Sequence, residues 1–205
     1  MSPRQRGFDL EKALDAAMDT FWEKGYAATS AQDLVDSTGL GRGSLYNTFD
    51  SKYGLFQAAL KRYDTEWTTR LVTLLEEGEG PARDRIRTVL MSVVEEETSG
   101  HPQHRGCLVV NSALELAGRD ARVTQYVRDT FGRIAEALAV CVGQGVRDGS
   151  LPESAETPRD RALYLLNSMY GLRVLGKVSD RRELAALVDR ILPPEASARR
   201  ESPAV

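Results

Sequence analysis

Few residues in this 205-residue chain have the type and spacing for covalent chemistry. His101 and His104 are the only histidines, at an i, i+3 spacing that suits a pair of metal ligands. Pro102 lies between them and prevents a regular helical pair, so a solvated loop is the expectation. Cys107 and Cys141 form neither a disulfide framework nor a zinc spacing. Cys107 follows Arg105-Gly106 at the expected start of an apolar helix. Helix N-termini and nearby cations favour thiolates in general, which gives this residue a thiol-sensing reading. Its other reading is a small buried hydrophobe, and Leu108, Val109 and Val110 beside it favour burial. No Ser/His/Asp or Cys/His set is present, so no enzyme is expected. GLGRGS at 39–44 lacks a preceding strand. GLRVLGKV at 171–178 puts Val178 where a phosphate loop needs Ser or Thr. No cofactor and no metal are expected.

Residues 29–52, TSAQDLVDSTGLGRGSLYNTFDSK, carry non-covalent chemistry instead. Two short helical patterns flank a tight turn. Thr29-Ser30 can cap the first, and Asp33 stands at the capping-box spacing from Ser30. Gly39 suits a left-handed turn residue. The second pattern, Arg42 to Phe49, buries Leu45 and Phe49 at i, i+4 and leaves Arg42, Ser44, Tyr46, Asn47 and Thr48 on its other faces. Two helical turns are unstable alone, so neighbouring helices must brace this face for presentation to a groove. That is a helix-turn-helix, whose second helix enters the DNA major groove.

The elements around it extend the pattern. Upstream, Asp9 can cap a helix through Leu10, Ala13, Leu14, Ala17, Phe21 and Trp22, ending at Lys24-Gly25. Downstream, Asp50-Ser51 caps a long helix through Leu55, Ala59, Tyr63 and Leu71. The order helix, Gly-Tyr, Thr-Ser, helix, turn, Gly-Ser-Leu-Tyr-x-x-Phe, x-Ser-Lys, long helix resembles the tetracycline-repressor-like (TetR) family of bacterial transcription regulators over residues 9–62. The resemblance implies an all-α chain of about nine helices. Its expected parts are a three-helix DNA-binding domain at 1–52, an effector-binding and dimerisation domain at 53–192, and a disordered tail at 193–205. It also implies contacts to DNA from Thr29, Gln32, Arg42, Ser44, Tyr46, Asn47, Thr48 and Lys52. Thr48 departs from the larger His common in the family.

Charge gives this reading only local support. The chain carries a formal charge of −3, and residues 1–62 hold eight basic and eight acidic side chains, a net of zero. Placement matters more: Arg42 and Lys52 bracket the second helix, and helix N-terminal amides add positive potential. Hydrophobic content of 41% and charged content of 28% are those of a globular chain. No apolar run approaches the roughly 18 residues of a membrane span. No signal peptide is apparent, and a cytoplasmic location is expected.

After residue 76 helix follows helix. Residues 107–117 are apolar on nearly every side, with Asn111 and Glu115 the polar exceptions at i, i+4. Buried polar groups need partners, and an effector could be one. Candidate effector contacts are Trp67, Met91, Cys107, Asn111, Glu115, Tyr126, Phe131 and Tyr164. Residues 158–192 form the last two helices and the expected dimer interface, with Ala162, Leu166, Met169, Gly171, Leu184, Leu187, Val188 and Ile191 as its candidates. The resulting expectation is a homodimeric repressor released from a palindromic operator by an unidentified small molecule. The alternatives are a redox or electrophile sensor using Cys107 and, in another class, a helical enzyme on the same scaffold.

Overall fold

The computed structural model describes the backbone of residues 3–99 and 105–192, and the side chains of 10–99 and 105–192. His101, His104 and the tail from residue 193 lie outside the described residues. The order is α1 (Pro3–Lys24), α2 (Ala31–Thr38), α3 (Arg42–Phe49), α4 (Lys52–Tyr63), a π-helical segment (Asp64–Thr68), α5 (Thr69–Glu77), α6 (Ala82–Thr98), α7 (Leu108–Leu116), α8 (Ala121–Asp148), α9 (Pro158–Leu175) and α10 (Arg181–Ile191). With α4, the π segment and α5 counted as one rod, the described residues hold nine helices and no strand. α1 starts at Pro3, earlier than the Asp9 cap expected from sequence. Proline is tolerated at a helix start because the amide it lacks would have no partner there.

The chain forms two compact units, one of residues 1–72 with 100–134 and one of 73–99 with 135–205. In the first, Phe21 of α1, Leu34 of α2, Leu45 of α3 and Leu55, Phe56 and Leu60 of α4 share a core with Leu108 and Val109 of α7 and Val123 of α8. Burying each such side chain contributes roughly 1.5–3 kcal/mol, which offsets the weakness of two-turn helices. In the second unit, Ile86, Val89, Leu90, Val93 and Val94 of α6, Leu138 and Val142 of α8, Leu166 and Met169 of α9 and Leu184 and Val188 of α10 are buried. Arg173 of α9 is buried in an ion pair with Glu97 of α6 at 3.1 Å, and it also meets Glu96 at 2.9 Å. Burial pushes the Glu97 carboxyl above its ordinary value, against the lowering effect of Arg173. No described helix is long and apolar enough to cross a membrane.

Candidate nucleic-acid interface

Local chemistry builds the helix-turn-helix as the sequence indicates. The Ser30 hydroxyl accepts the Asp33 amide, and the Asp33 carboxylate accepts the Ser30 amide, so the capping box closes in both directions. The Lys24 ammonium donates to Asp33 at 2.6 Å, and with Ser30 it holds that carboxyl well below the usual range. α2 ends at Gly39 in the left-handed region. α3 then starts at Arg42 and anchors through Leu45, which is 0% exposed.

The α3–α4 junction is the one strained place in this module. Asp50 has φ 62 and ψ −38, and the Ser51 amide donates to the Phe49 carbonyl at 2.7 Å across it. This is a γ-turn with positive φ, a conformation that non-glycine residues rarely adopt. A Cβ at Gly54 would stand 2.1 Å from that same Phe49 carbonyl, so only glycine admits the approach. The Ser51 hydroxyl accepts the Gly54 amide at 3.0 Å and caps α4. The turn fixes α3 against α4 and brings Lys52 to the start of α4.

Arg42, Ser44, Asn47 and Thr48 are exposed on α3. The Arg42 guanidinium lies 5.9 Å from the centre of the half-buried Tyr46 ring. Gln32 is exposed on α2 and donates to Asp36 at 2.7 Å. The Lys52 ammonium stands 4.5 Å over the Tyr26 ring. An exposed guanidinium, an ammonium, hydroxyls and an amide on one short helix and its neighbour can bond phosphates and base edges. Thr29 differs from the expectation. It is 1% exposed, and its hydroxyl donates to the Gly25 carbonyl at 2.6 Å, which uses its side chain to close the α1–α2 turn.

Six of the eight candidate effector contacts lie in the first unit. Trp67, Cys107, Tyr126 and Phe131 belong to the core of the first unit. Trp67 stacks on Tyr63 with ring centres 4.9 Å apart. The Tyr126 hydroxyl donates to the Leu60 carbonyl at 2.7 Å, and burial pushes that phenol well above its ordinary value. Cys107 is 6% exposed at the N-cap of α7. The two α7 candidates, Asn111 and Glu115, already have backbone partners. Asn111 donates to the Arg105 carbonyl at 2.8 Å. Glu115 accepts the Tyr26 amide at 2.9 Å and the Ala27 amide at 2.6 Å. Met91 and Tyr164 lie in the second unit, half-buried and exposed respectively. A cavity of about 420 Å³ lined by Gly80, Pro81, Asp148, Gly149 and Ser150 shares no residue with the eight.

The dimer candidates also divide. Ala162, Leu166, Met169, Leu184 and Val188 are buried within the single chain, where they join α6, α9 and α10 into a core. Leu187, Ile191 and Gly171 are partly exposed. The outward apolar face of α9 instead carries Leu163, Tyr164, Val174 and Leu175, with Val178 just beyond. Helical periodicity marks an apolar stripe without saying whether it faces the core or a partner. Sequence reasoning also misses Tyr26 as a partner of Lys52, because their contact joins residues far apart in sequence.

The profile of the family described as bacterial regulatory proteins, tetR family, matches residues 13–59. That of the tetracyclin repressor-like C-terminal domain matches residues 82–191, more than half of the chain. An uncharacterised HTH-type transcriptional regulator of Bacillus subtilis strain 168, YezE, is 29% identical over 86% of this chain and 90% of its own. The HTH-type transcriptional repressor ComR of Escherichia coli K12 is 29% identical over 73% of this chain and 70% of its own. Among solved structures, a cysteine mutant of the TetR family regulator CifR, complexed with 26-bp double-strand operator DNA, superposes with a TM-score of 0.78. It is 30% identical and covers 89% of this chain and 94% of its own.

Proposed function

The chain belongs to the TetR family of bacterial transcription regulators, and from that membership we propose a two-fold dimer that represses transcription and leaves its operator when a small molecule binds. The observation that carries this reading is the outward face of α3, where Arg42, Ser44, Asn47 and Thr48 are exposed above the buried Leu45. Arg42 and Lys52 contact phosphates or base edges, Tyr46 fixes the backbone register, and Ser44 and Gln32 reach bases. Two α3 helices, one from each protomer, fit successive major-groove faces about 34 Å apart on a roughly palindromic site. CifR bound to operator DNA supports the same docking here.

The exposed apolar face of α9 supports dimerisation, since a monomer rarely leaves so many large apolar side chains on one helix face in water. Residues 1–52 read DNA, and 53–192 sense the effector and dimerise. The effector acts by binding two conformations with different affinity, of which one has the wrong spacing between α3 helices. Its contacts fall in the first unit's core cluster, which holds Cys107 and against which Trp67, Tyr126 and Phe131 pack.

Selection of duplexes from a random library by the purified protein tests the reading. Enrichment of a palindromic sequence is the expected result. Recovery of no preferred sequence, with retardation only at low salt, refutes it.

A further inference from the structure

Two carboxylates at the α7–α8 corner reach the part of the first unit that carries Lys52. Glu115 lies in the last turn of α7, and its two oxygens take the amides of Tyr26 and Ala27 at 2.9 and 2.6 Å. Those amides belong to the turn between α1 and α2. A Cβ on Gly25 would come within 2.9 Å of Glu115 Oε2, and Gly25 has φ +78, so the backbone of this turn favours glycine. Asp120 stands before α8 and accepts the Arg122 and Val123 amides at 2.9 Å each. The same oxygen takes the Tyr53 hydroxyl at 2.9 Å. Tyr53 follows Lys52 directly, and its ring meets Tyr26 edge-on with centres 6.0 Å apart. Lys52 lies over the Tyr26 ring.

The opposite end of α7 is also fastened to α1. The Arg105 guanidinium stacks on Trp22 at 4.2 Å and pairs with Asp19 at 2.7 Å. The Trp22 indole donates to the Gly106 carbonyl at 2.9 Å. Between these two fastenings α7 buries Leu108, Val109 and Ser112.

We propose that Glu115 and Asp120 are positioning residues that set the reach of Lys52 to DNA phosphate through Tyr26 and Tyr53; this rests on the DNA-binding reading above. Both ends of the relay keep their hydrogen-bonding forms at neutral pH. Bonds from Val123 and Tyr53 hold the Asp120 carboxyl below its ordinary value, and burial pushes the Tyr53 phenol above its own. Loss of Glu115 frees the Tyr26 turn, and the ammonium over that ring loses its fixed place.

A double-mutant cycle on the full-length protein tests this, with anisotropy of a duplex that the unaltered protein selects from a random library. Glu115→Ala weakens binding roughly tenfold in the unaltered background and less than about twofold once Lys52→Ala is present. Tyr53→Phe gives a smaller loss that likewise vanishes with Lys52→Ala, and it carries the test if Glu115→Ala fails to fold. A loss of equal size in both backgrounds overturns the proposal while leaving DNA binding intact, because a merely structural role is additive with Lys52. Unchanged affinity in Glu115→Ala overturns it as well. Failure of the unaltered protein to select any duplex overturns the proposal together with the reading on which it rests.

Discussion

The two compact units share one use of charge and differ in another: in both, carboxylates fasten backbone amides, as Asp148 does for Ala82 and Ser150 in the second, but the second also buries an ion pair. In the first, carboxylates lie at the surface and fasten backbone amides: Asp33 takes Ser30, Glu115 takes Tyr26 and Ala27, and Asp120 takes Arg122 and Val123. In the second, Glu97 and Arg173 form an ion pair buried inside the unit, with 2% and 4% of their side chains exposed. The first arrangement orients loops and helix ends and leaves cations such as Arg42 facing outward. The second joins α6 to α9, with its opposite charges paired inside the protein. Exposed large apolar side chains gather on α9 of the second unit, at Leu163, Tyr164, Val174 and Leu175, whereas the first unit exposes Leu114 on α7.

Removing both cations breaks the first half of this contrast most strongly. Arg42→Ala combined with Lys52→Ala should weaken operator binding by roughly 100-fold or more at physiological salt. The log–log salt slope should also fall by about one for each phosphate that the variant no longer neutralises. Thermal stability should change little, since Arg42 is exposed and both act as surface charges. Unaltered affinity in this double variant would sink the assignment of the interface.

The buried pair should dominate stability. Glu97→Ala leaves Arg173 buried beside Glu96 alone and should cost about 3–5 kcal/mol in urea unfolding followed by circular dichroism. Ser30→Ala removes an exposed cap in the first unit and should cost about 1 kcal/mol. Similar losses for the two would erase the distinction between the units.

How much of this is legible in sequence follows the same division. The α2–α3 turn is written in local signals: Ser30 and Asp33 at capping spacing, Gly39 as a stop, Leu45 as an anchor. The structure closes each of them as those signals indicate. Thr29 is harder, because a hydroxyl beside a cap can turn inward as easily as outward, and here it turns to Gly25. The γ-turn at Asp50 has no sequence mark. In α9 the periodicity selects Ala162, Leu166 and Met169, which are buried, and passes over Leu163 and Tyr164, which are exposed. Both faces of that helix are apolar, so spacing alone does not rank them. Asn111 and Glu115 stand out in sequence as polar groups needing partners, but their partners are backbone atoms that spacing does not identify.

Acidity should move the contribution of Glu97 opposite to those of Asp33 and Asp120. Glu97 is raised above its ordinary 4.5, so the folded state binds that proton more tightly than the unfolded chain does. Its contribution is greatest below 4.5 and is lost as pH rises through the raised value. Asp33 and Asp120 are lowered from 3.8, so their contribution is complete above 3.8 and disappears as pH falls through the lowered values. Trp22 and Trp67 are the only tryptophans and both lie in the first unit. Their fluorescence should therefore report acid loosening of that unit below pH 3.8, whereas Glu97→Gln should remove the decline in overall stability above pH 4.5. A decline that persists in Glu97→Gln would assign it to another group.

The smallest expected difference is between the two thiols. Cys141 is 0% exposed, within α8, and burial pushes its thiol above the ordinary value. Cys107 is 6% exposed at a helix N-cap, so it should react faster than Cys141 with a thiol reagent in the native protein. Both should remain slower than in the unfolded chain. Faster labelling of Cys141 would contradict the burial order.

Footprinting on a selected duplex tests the central claim most directly. The account predicts two protected major-groove patches on one face of the DNA, centred about one helical turn apart, from a species of twice 22.6 kDa. Both patches should vanish together in the Arg42→Ala, Lys52→Ala variant. A single protected patch bound by one protomer, or protection that survives loss of both cations, would contradict it.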